Sequence, residues 1–177
     1  NAGAVLQKAK NYGLGDDEMS GTIVAPPSLT FTDGMVIDLG NRSVELISAG
    51  PSHTDGSILV LVPDSKVLFA GDVLFTNYHP NMRDGDIEGW VKALDRIMSM
   101  DVAAIIPGHG PLSRKKDVAD MKNYLVTFDK KARELAAQSN DPEYIASEVK
   151  KALPPRAYFD LFIAYTIKAK YVKSGPK

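Results

Sequence analysis

The chain has 177 residues, of which 44% are hydrophobic and 24% are charged, and its formal net charge is −1. This length and apolar content suit one domain with a buried core, and they exclude collagen-like or low-complexity disorder. Cysteine is absent, which excludes a disulfide framework and any thiolate metal site.

The sequence shows no membrane-spanning or secretory segment. No apolar run approaches the ~18–20 residues that span a bilayer, and the first residues lack the basic-then-apolar layout of a signal peptide. We therefore expect a soluble chain that makes no membrane contact. The compartment stays open, because any targeting segment would lie upstream of this sequence.

The hydrophobic pattern predicts five strands after a mixed N-terminal stretch. Residues 11–34 contain Gly, Asp and a proline pair, and they are predicted as loop with one short strand near residues 29–31. Several of the later runs are apolar on both faces, which implies strands covered on both sides, as in a layered α/β protein. The five predicted strands are Met35–Leu39, Ser43–Ser48, Ser57–Val62, Lys66–Ala70 and Ala103–Ile106.

Apolar residues at helical spacing predict four helices in the rest of the chain. Asp86 can cap the first, whose apolar stripe extends to Met98 and includes Trp90 as a core residue. The other three are predicted over Lys116–Gln138, Asp141–Ala152 and Tyr158–Tyr171. We interpret residues 1–177 as a single domain in which residues 126–177 form a helical extension.

Three potential metal ligands follow strands of the predicted sheet. His53 lies in a Gly/Pro-rich turn after the second strand, Asp72 lies just past the fourth, and His109 lies just past the fifth. Each alone is explained as an ordinary loop, turn or capping residue, but ligand sites in open α/β sheets gather at this edge. Imidazole nitrogen and carboxylate oxygen suit Zn²⁺, and also Fe or Mn. The shared position therefore favours one metal site.

The same residues carry a family resemblance. The motifs GPSHTDG (residues 50–56), LFAGD (68–72) and IPGHG (106–110) occur in that order. Together they resemble the C-terminal half of proteins in the metallo-β-lactamase superfamily. The resemblance covers roughly residues 28–125. The resemblance implies an α/β fold, namely half of, or a truncated form of, an αββα sandwich, here with a helical C-terminal tail.

The resemblance also implies a binuclear metal site and a hydrolytic reaction. His53 would complete the ligands of the first metal, Asp72 would bridge the two metals, and His109 would serve the second. The intact protein would hold two zinc ions, with Fe or Mn as alternatives. Metal-bound hydroxide would then attack an ester, thioester or lactam-type small-molecule substrate, and no side chain of this chain is itself assigned as catalytic.

One family signature is missing from this sequence. The leading H-x-H-x-D-H cluster, which supplies further ligands to both metals, is absent. The chain is therefore interpreted as a fragment that lacks half of the ligands and is inactive alone. Its expected partners are the missing N-terminal half, on the same or another chain, or a second copy that covers an exposed sheet face.

The polar and aromatic segment 76–84 supplies the candidates for substrate binding. Tyr78 and His79 follow Asp72 closely, and either side chain could donate a hydrogen bond or a proton at the mouth of the site. The other interpretation of this segment is an ordinary surface loop before the helix that carries Trp90.

A second class of function stays open at this point. The chain could be a non-catalytic interaction module that binds a partner through its exposed sheet face or its helical tail. Residues 112–177 carry 14 Lys+Arg against 8 Asp+Glu, but these basic residues are spread around helices and no aromatic stacking motif accompanies them. Nucleic acid is therefore not an expected partner.

Overall fold

The computed structural model of the chain describes residues 7, 9–10 and 13–172. The chain divides into two compact units, Asn1–Thr32 and Asp33–Lys177. In the first unit the described residues from Gly13 onward form turns and coil. The prediction of a short strand near residues 29–31 is wrong, because this stretch is coil and its Leu29 is 67% exposed. A short isolated strand has no ladder to stabilise it.

The second unit is built on a five-stranded sheet in the order β1-β2-β3-β4-β5. The first four strands pair antiparallel with their neighbours, whereas β5 runs parallel to β4. The C-terminal ends of β2, β4 and β5 therefore share one edge of the sheet. The strands are β1 (Gly34–Asp38), β2 (Ser43–Ser48), β3 (Ile58–Val62), β4 (Val67–Phe75) and β5 (Ala104–His109).

All five predicted strands are present, but β4 is longer than predicted. It was expected to end at Ala70, and it continues to Phe75 through an irregular stretch in which its pairing with β5 shifts register twice. Asp72 therefore lies within this irregular stretch and not past the end of the strand. Irregularities of this kind re-aim side chains, and they occur often beside functional sites.

Four helices follow β4, the first before β5 and the other three after it. They are α1 (Ile87–Ser99), α2 (Lys115–Ala136), α3 (Pro142–Ala152) and α4 (Leu161–Lys170). The cap predicted at Asp86 forms as expected, and Asp141 caps α3 in the same way. The Asp86 side chain accepts from the backbone N–H of Gly89 at 2.6 Å, and the Asp141 side chain accepts from that of Glu143 at 3.0 Å. These bonds satisfy N–H groups that the first turn of a helix leaves free.

The last helix begins later than predicted. The pattern predicts its start at Tyr158, whereas α4 begins at Leu161. Phe159 has a φ of 71°, in the left-handed region that a right-handed helix cannot include. This residue therefore separates the helix from the segment before it.

The core lies between one face of the sheet and helices α1 and α2. Leu59, Leu68 and Ile105 project from the sheet, and they are fully buried in one hydrophobic cluster with Trp90 and Phe128. The indole N–H of Trp90 donates to the backbone carbonyl of Val73 at 2.7 Å. The prediction that Trp90 is a core residue is confirmed.

The opposite face of the sheet is also apolar. Direct cross-strand partners form a continuous row, which is Met35, Leu46, Val60, Phe69 and Ile106. On this face Phe69 and Ile58 are each 42% exposed. A sheet face of this composition is normally packed against a second layer.

Among the described helices, none combines the length and the apolar character that crossing a bilayer requires.

Candidate metal centre

The three predicted ligands meet at the edge shared by β2, β4 and β5. His53 lies in the loop that follows β2, Asp72 lies in the irregular part of β4, and His109 is the last residue of β5. Because these three strands point the same way, residues 53, 72 and 109 come together although the sequence separates them widely.

Asp72 lies between the two imidazoles and turns one oxygen toward each. His53 Nε2 is 3.4 Å from Asp72 Oδ2, and His109 Nε2 is 3.4 Å from Asp72 Oδ1. Both distances exceed the usual ~2.9–3.0 Å of a hydrogen bond that involves a nitrogen donor. Two ligands that each lie ~2.0–2.1 Å from one tetrahedral zinc ion are about 3.3–3.4 Å apart. The spacing therefore fits two ligand pairs that share Asp72.

The ligand set is incomplete for a catalytic metal. A catalytic zinc ion has three protein ligands, whereas each oxygen of Asp72 faces a single imidazole. In the part of the chain that the structure describes, no group of three or more His, Asp or Glu side chains is arranged to hold a metal ion. The residues present therefore fit two half-sites joined by one carboxylate.

The close approach of β5 to Asp72 requires glycine at position 108. A Cβ atom on Gly108 would lie 2.0 Å from Asp72 Oδ1 and 2.7 Å from the backbone carbonyl carbon of Gly71. Real Cβ contacts are essentially never this short, so any larger residue would displace the carboxylate or separate the strands. The glycine in the IPGHG motif thus has a packing role beside the candidate ligands.

His53 is a partly buried imidazole whose surroundings favour its neutral form. Burial lowers the pKa of His53, although the Asp72 carboxylate and the Asn81 carbonyl oppose this effect. Its Nδ1 is buried without a well-formed hydrogen bond to any described residue, and its ring meets the edge of the Trp90 ring at 5.3 Å between centroids. Metal binding requires a neutral imidazole with an unprotonated ligating nitrogen, and the burial of His53 favours the neutral form.

His109 lies beside three aromatic rings, and its side chain is 38% exposed. Its ring stacks on Phe75 with a centroid distance of 4.7 Å, and Phe159 approaches it edge-on at 5.4 Å and 90°. Tyr78 lies 6.1 Å away. Phe159 lies within the predicted last helix, Tyr158–Tyr171, and the sequence pattern does not predict its contact with His109.

The two predicted substrate-binding residues lie in different surroundings. Tyr78 is partly buried beside His109, and its ring stacks on Tyr158 at 4.9 Å. His79 is only 2% exposed. Its Nδ1 is 2.8 Å from the hydroxyl of Tyr124, and its Nε2 is 2.9 Å from Asp160 Oδ1.

Both ring nitrogens of His79 are therefore occupied within the protein, and neither is available to a substrate. Burial lowers the pKa of His79, and Asp160 acts in the opposite direction. The residue links the loop after β4 to the segment before α4. Of the two candidates, only Tyr78 borders the ligands.

Arg156 holds the segment before α4 against the site, a role that sequence patterns did not reveal. Its side chain is 2% exposed and pairs with Asp120 of α2 at 2.6 Å. Its Nη1 also donates to the carbonyl oxygens of Phe75 and Tyr78, at 3.2 and 3.3 Å. The guanidinium group thus connects α2, the end of β4 and the loop that carries Tyr78.

A cavity of about 850 Å³ lies between α1, α2 and the end of α4. It is lined by charged residues such as Glu88, Asp129 and Arg133, and by Tyr171. None of the three candidate ligands lines it.

Comparison with known proteins adds the following findings. The sequence profile described as "Metallo-beta-lactamase superfamily" matches residues 4–109, which include all three candidate ligands. A metallo-beta-lactamase type 2 of Bacteroides fragilis is 30% identical over 89 residues, which are 48% of this chain and 36% of that protein. An acyl-coenzyme A thioesterase of Bos taurus is 34% identical over 88 residues, which are 47% of this chain and 31% of that protein.

A solved structure also resembles the chain. A metallo-beta-lactamase from Pontibacter korlensis superposes with a TM-score of 0.54 at 20% identity, over 68% of this chain and 62% of that one. This likeness concerns the fold. The matched part of the chain spans about a third of the length of the curated relatives.

Proposed function

The chain belongs to the metallo-beta-lactamase superfamily, and we propose that it forms part of a metal-dependent hydrolase of ester, thioester or lactam bonds. The observation that carries the proposal is Asp72, whose two oxygens each lie 3.4 Å from the Nε2 atom of a different imidazole. The relatives named as metallo-beta-lactamases and acyl-coenzyme A thioesterases support hydrolysis as the reaction class.

We assign the binding of two metal ions to three residues. His53 and one oxygen of Asp72 would hold one ion, and His109 and the other oxygen would hold the second. Zinc, or iron or manganese, would supply Lewis-acid activation of water and of the substrate's acyl oxygen when bound. Because the imidazoles serve as ligands, neither His53 nor His109 acts as a general base.

Other residues of the chain keep this arrangement in place. Gly108 lets β5 approach the carboxylate, and the rings of Trp90 and Phe75 exclude water from one side of the imidazoles. We assign to the Tyr78 hydroxyl a hydrogen bond to the substrate. The chain alone is proposed to be inactive, because two ligands per metal are fewer than catalysis requires.

The test is turnover by the full-length protein that contains this chain. With zinc present, hydrolysis of ester, thioester and lactam substrates is expected, and Asp72→Ala should abolish most of it. Asp33→Asn, an exposed carboxylate outside the centre, is the matched control and should keep full activity. Unchanged turnover in Asp72→Ala would refute the bridging role.

A second candidate function is a non-catalytic interaction module. It is favoured by the apolar sheet face on which Phe69 and Ile58 are 42% exposed, because a large apolar surface marks an interaction site. The proposed occupant is the remaining layer of an αββα sandwich, and a second copy of the chain is the alternative. Light scattering distinguishes them, since a second copy would double the mass of the isolated chain.

A further inference from the structure

A connected set of rings lies beside the candidate metal centre. The rings come from the loop after β4, from the segment that precedes α4 and from α4 itself. We call this set the aromatic strip. It consists of Tyr78, Tyr158, Phe159, Phe162 and Tyr165, together with Leu161. Phe159 lies 5.1 Å from Phe162, and Phe162 lies 6.5 Å from Tyr165, measured between ring centroids.

The exposed side of α4 carries two large apolar residues in its first half. Ile163 and Ile167 are buried against the rest of the unit, as an amphipathic helix requires. However, Leu161 is 52% exposed and Tyr165 is 56% exposed. Lys168, three positions after Tyr165, is also exposed on this side, so the apolar part is the N-terminal half of the helix. The outer side of α4 therefore has the character of a binding surface.

Phe159 joins this surface to the candidate metal centre. Its ring contacts Phe162 of the strip and, on the other side, the ring of His109. The φ of 71° at Phe159 is costly for a residue with a side chain, and such strain is typical of functional sites. Phe159 therefore places one end of the strip next to His109, where the acyl group of a substrate would react.

The charged residue next to Phe159 is paired with groups outside the strip. Asp160, the neighbour of Phe159, pairs with Lys150 at 2.5 Å and with His79 at 2.9 Å. The carboxylate is thus neutralised by groups outside the strip. Between Phe159 and Tyr165 the solvent-facing surface consists of rings and one leucine, with Lys168 at its far end, and the apolar part suits a hydrocarbon ligand.

We propose that the aromatic strip binds the hydrocarbon chain of an acyl substrate, with the acyl carbon directed toward His109. This inference rests on the proposed function and names its substrate class, an ester or thioester of a medium- or long-chain acid. The strip runs away from the centre along α4, so a longer chain gains more contact. Short acyl groups would reach only Phe159 and Tyr78.

The test measures binding without turnover. Butanoate, octanoate and dodecanoate are titrated into the chain by calorimetry, so that the carboxylate stays constant and only the chain length changes. Affinity is expected to rise with length, by up to about fourfold per buried methylene group, the factor that corresponds to ~0.8 kcal/mol. Equal affinity for all three acids would overturn the proposal.

Substitutions locate the binding surface. Leu161→Ala and Tyr165→Ala should each weaken dodecanoate binding by about tenfold, because each removes a large apolar contact. Alanine favours the helix, so both variants should remain folded. The matched control is Tyr144→Ala, since Tyr144 is also a helical tyrosine and is 49% exposed. An equal loss in Tyr144→Ala would contradict the assignment.

Two further outcomes are informative. If the strip is instead an interface between two copies, light scattering will show a dimer that Tyr165→Ala dissociates, and the proposal is wrong. Failure of hydrolysis in the full-length protein, with chain-length-dependent binding retained, would reject the proposed function and keep the strip as an acyl-binding surface. Hydrolysis at a rate that does not depend on acyl chain length would support the proposed function and reject the strip as an acyl-binding surface.

Discussion

Replacing Gly108 with alanine should separate β4 from β5 at the candidate metal centre. The new Cβ would lie 2.0 Å from Asp72 Oδ1, 2.7 Å from the Gly71 carbonyl carbon and 2.8 Å from the Asp72 backbone nitrogen. Two of these three atoms belong to the backbone, so a change of rotamer cannot relieve the contact. Since carbon atoms pack best near 3.5–4.0 Å, the strands must separate by about 1 Å. Overpacking of this kind costs about 1–3 kcal/mol.

Gly56→Ala is the matched control, because a Cβ at Gly56 meets no atom within 4 Å. In urea unfolding, a loss of ~2 kcal/mol in the free energy of unfolding lowers the midpoint by roughly 1 M. Gly108→Ala should show this decrease, and Gly56→Ala should keep the wild-type midpoint. If both variants unfold at the same urea concentration, the close approach of β5 to Asp72 is not real and the argument fails.

Three further results are expected. Arg156→Leu should lower the free energy of unfolding by about 2 kcal/mol, because it leaves two backbone carbonyls and a carboxylate without their donor. Arg133→Leu, which breaks a pair whose arginine is 72% exposed, should cost less than about 1 kcal/mol in the same urea experiment. Burial lowers the pKa of His79, so the unfolded chain binds more protons, and stability should fall as the pH drops below about 6.5. His79→Gln should remove part of this fall, and an unchanged pH profile would contradict the assignment. Finally, Phe69→Ser should reduce any self-association seen by light scattering, because Phe69 is 42% exposed on the apolar sheet face; an unchanged mass would exclude that face as the contact.

The strands and the three candidate ligands could be predicted because their signals are local. Alternating or continuous apolar runs mark the strands, and the turn residues around His53 and His109 mark where strands end. The parallel pairing of β5 with β4 then brings residues 72 and 109 to one edge. The length of β4 was not predictable, because its continuation past Ala70 depends on an irregular pairing with a distant strand.

The surroundings of the site depend on contacts between distant parts of the chain. His79 looked like a free polar residue in a loop, yet Tyr124 and Asp160 occupy both of its ring nitrogens. Arg156 contacts carbonyls about eighty positions earlier in the sequence. No local pattern predicts such pairs. The left-handed backbone conformation of Phe159 was also unpredictable, because phenylalanine rarely adopts a positive φ.

The central claim is that His53 and His109 each share a metal ion with Asp72. A long-range proton–nitrogen NMR spectrum tests it directly, because the chain has three histidines and each imidazole can be followed separately. Addition of zinc should shift the Nε2 signals of His53 and His109, leave His79 unchanged, and have no such effect in Asp72→Ala. Zinc that shifts none of the three rings, or shifts the same two equally in Asp72→Ala, would contradict the claim.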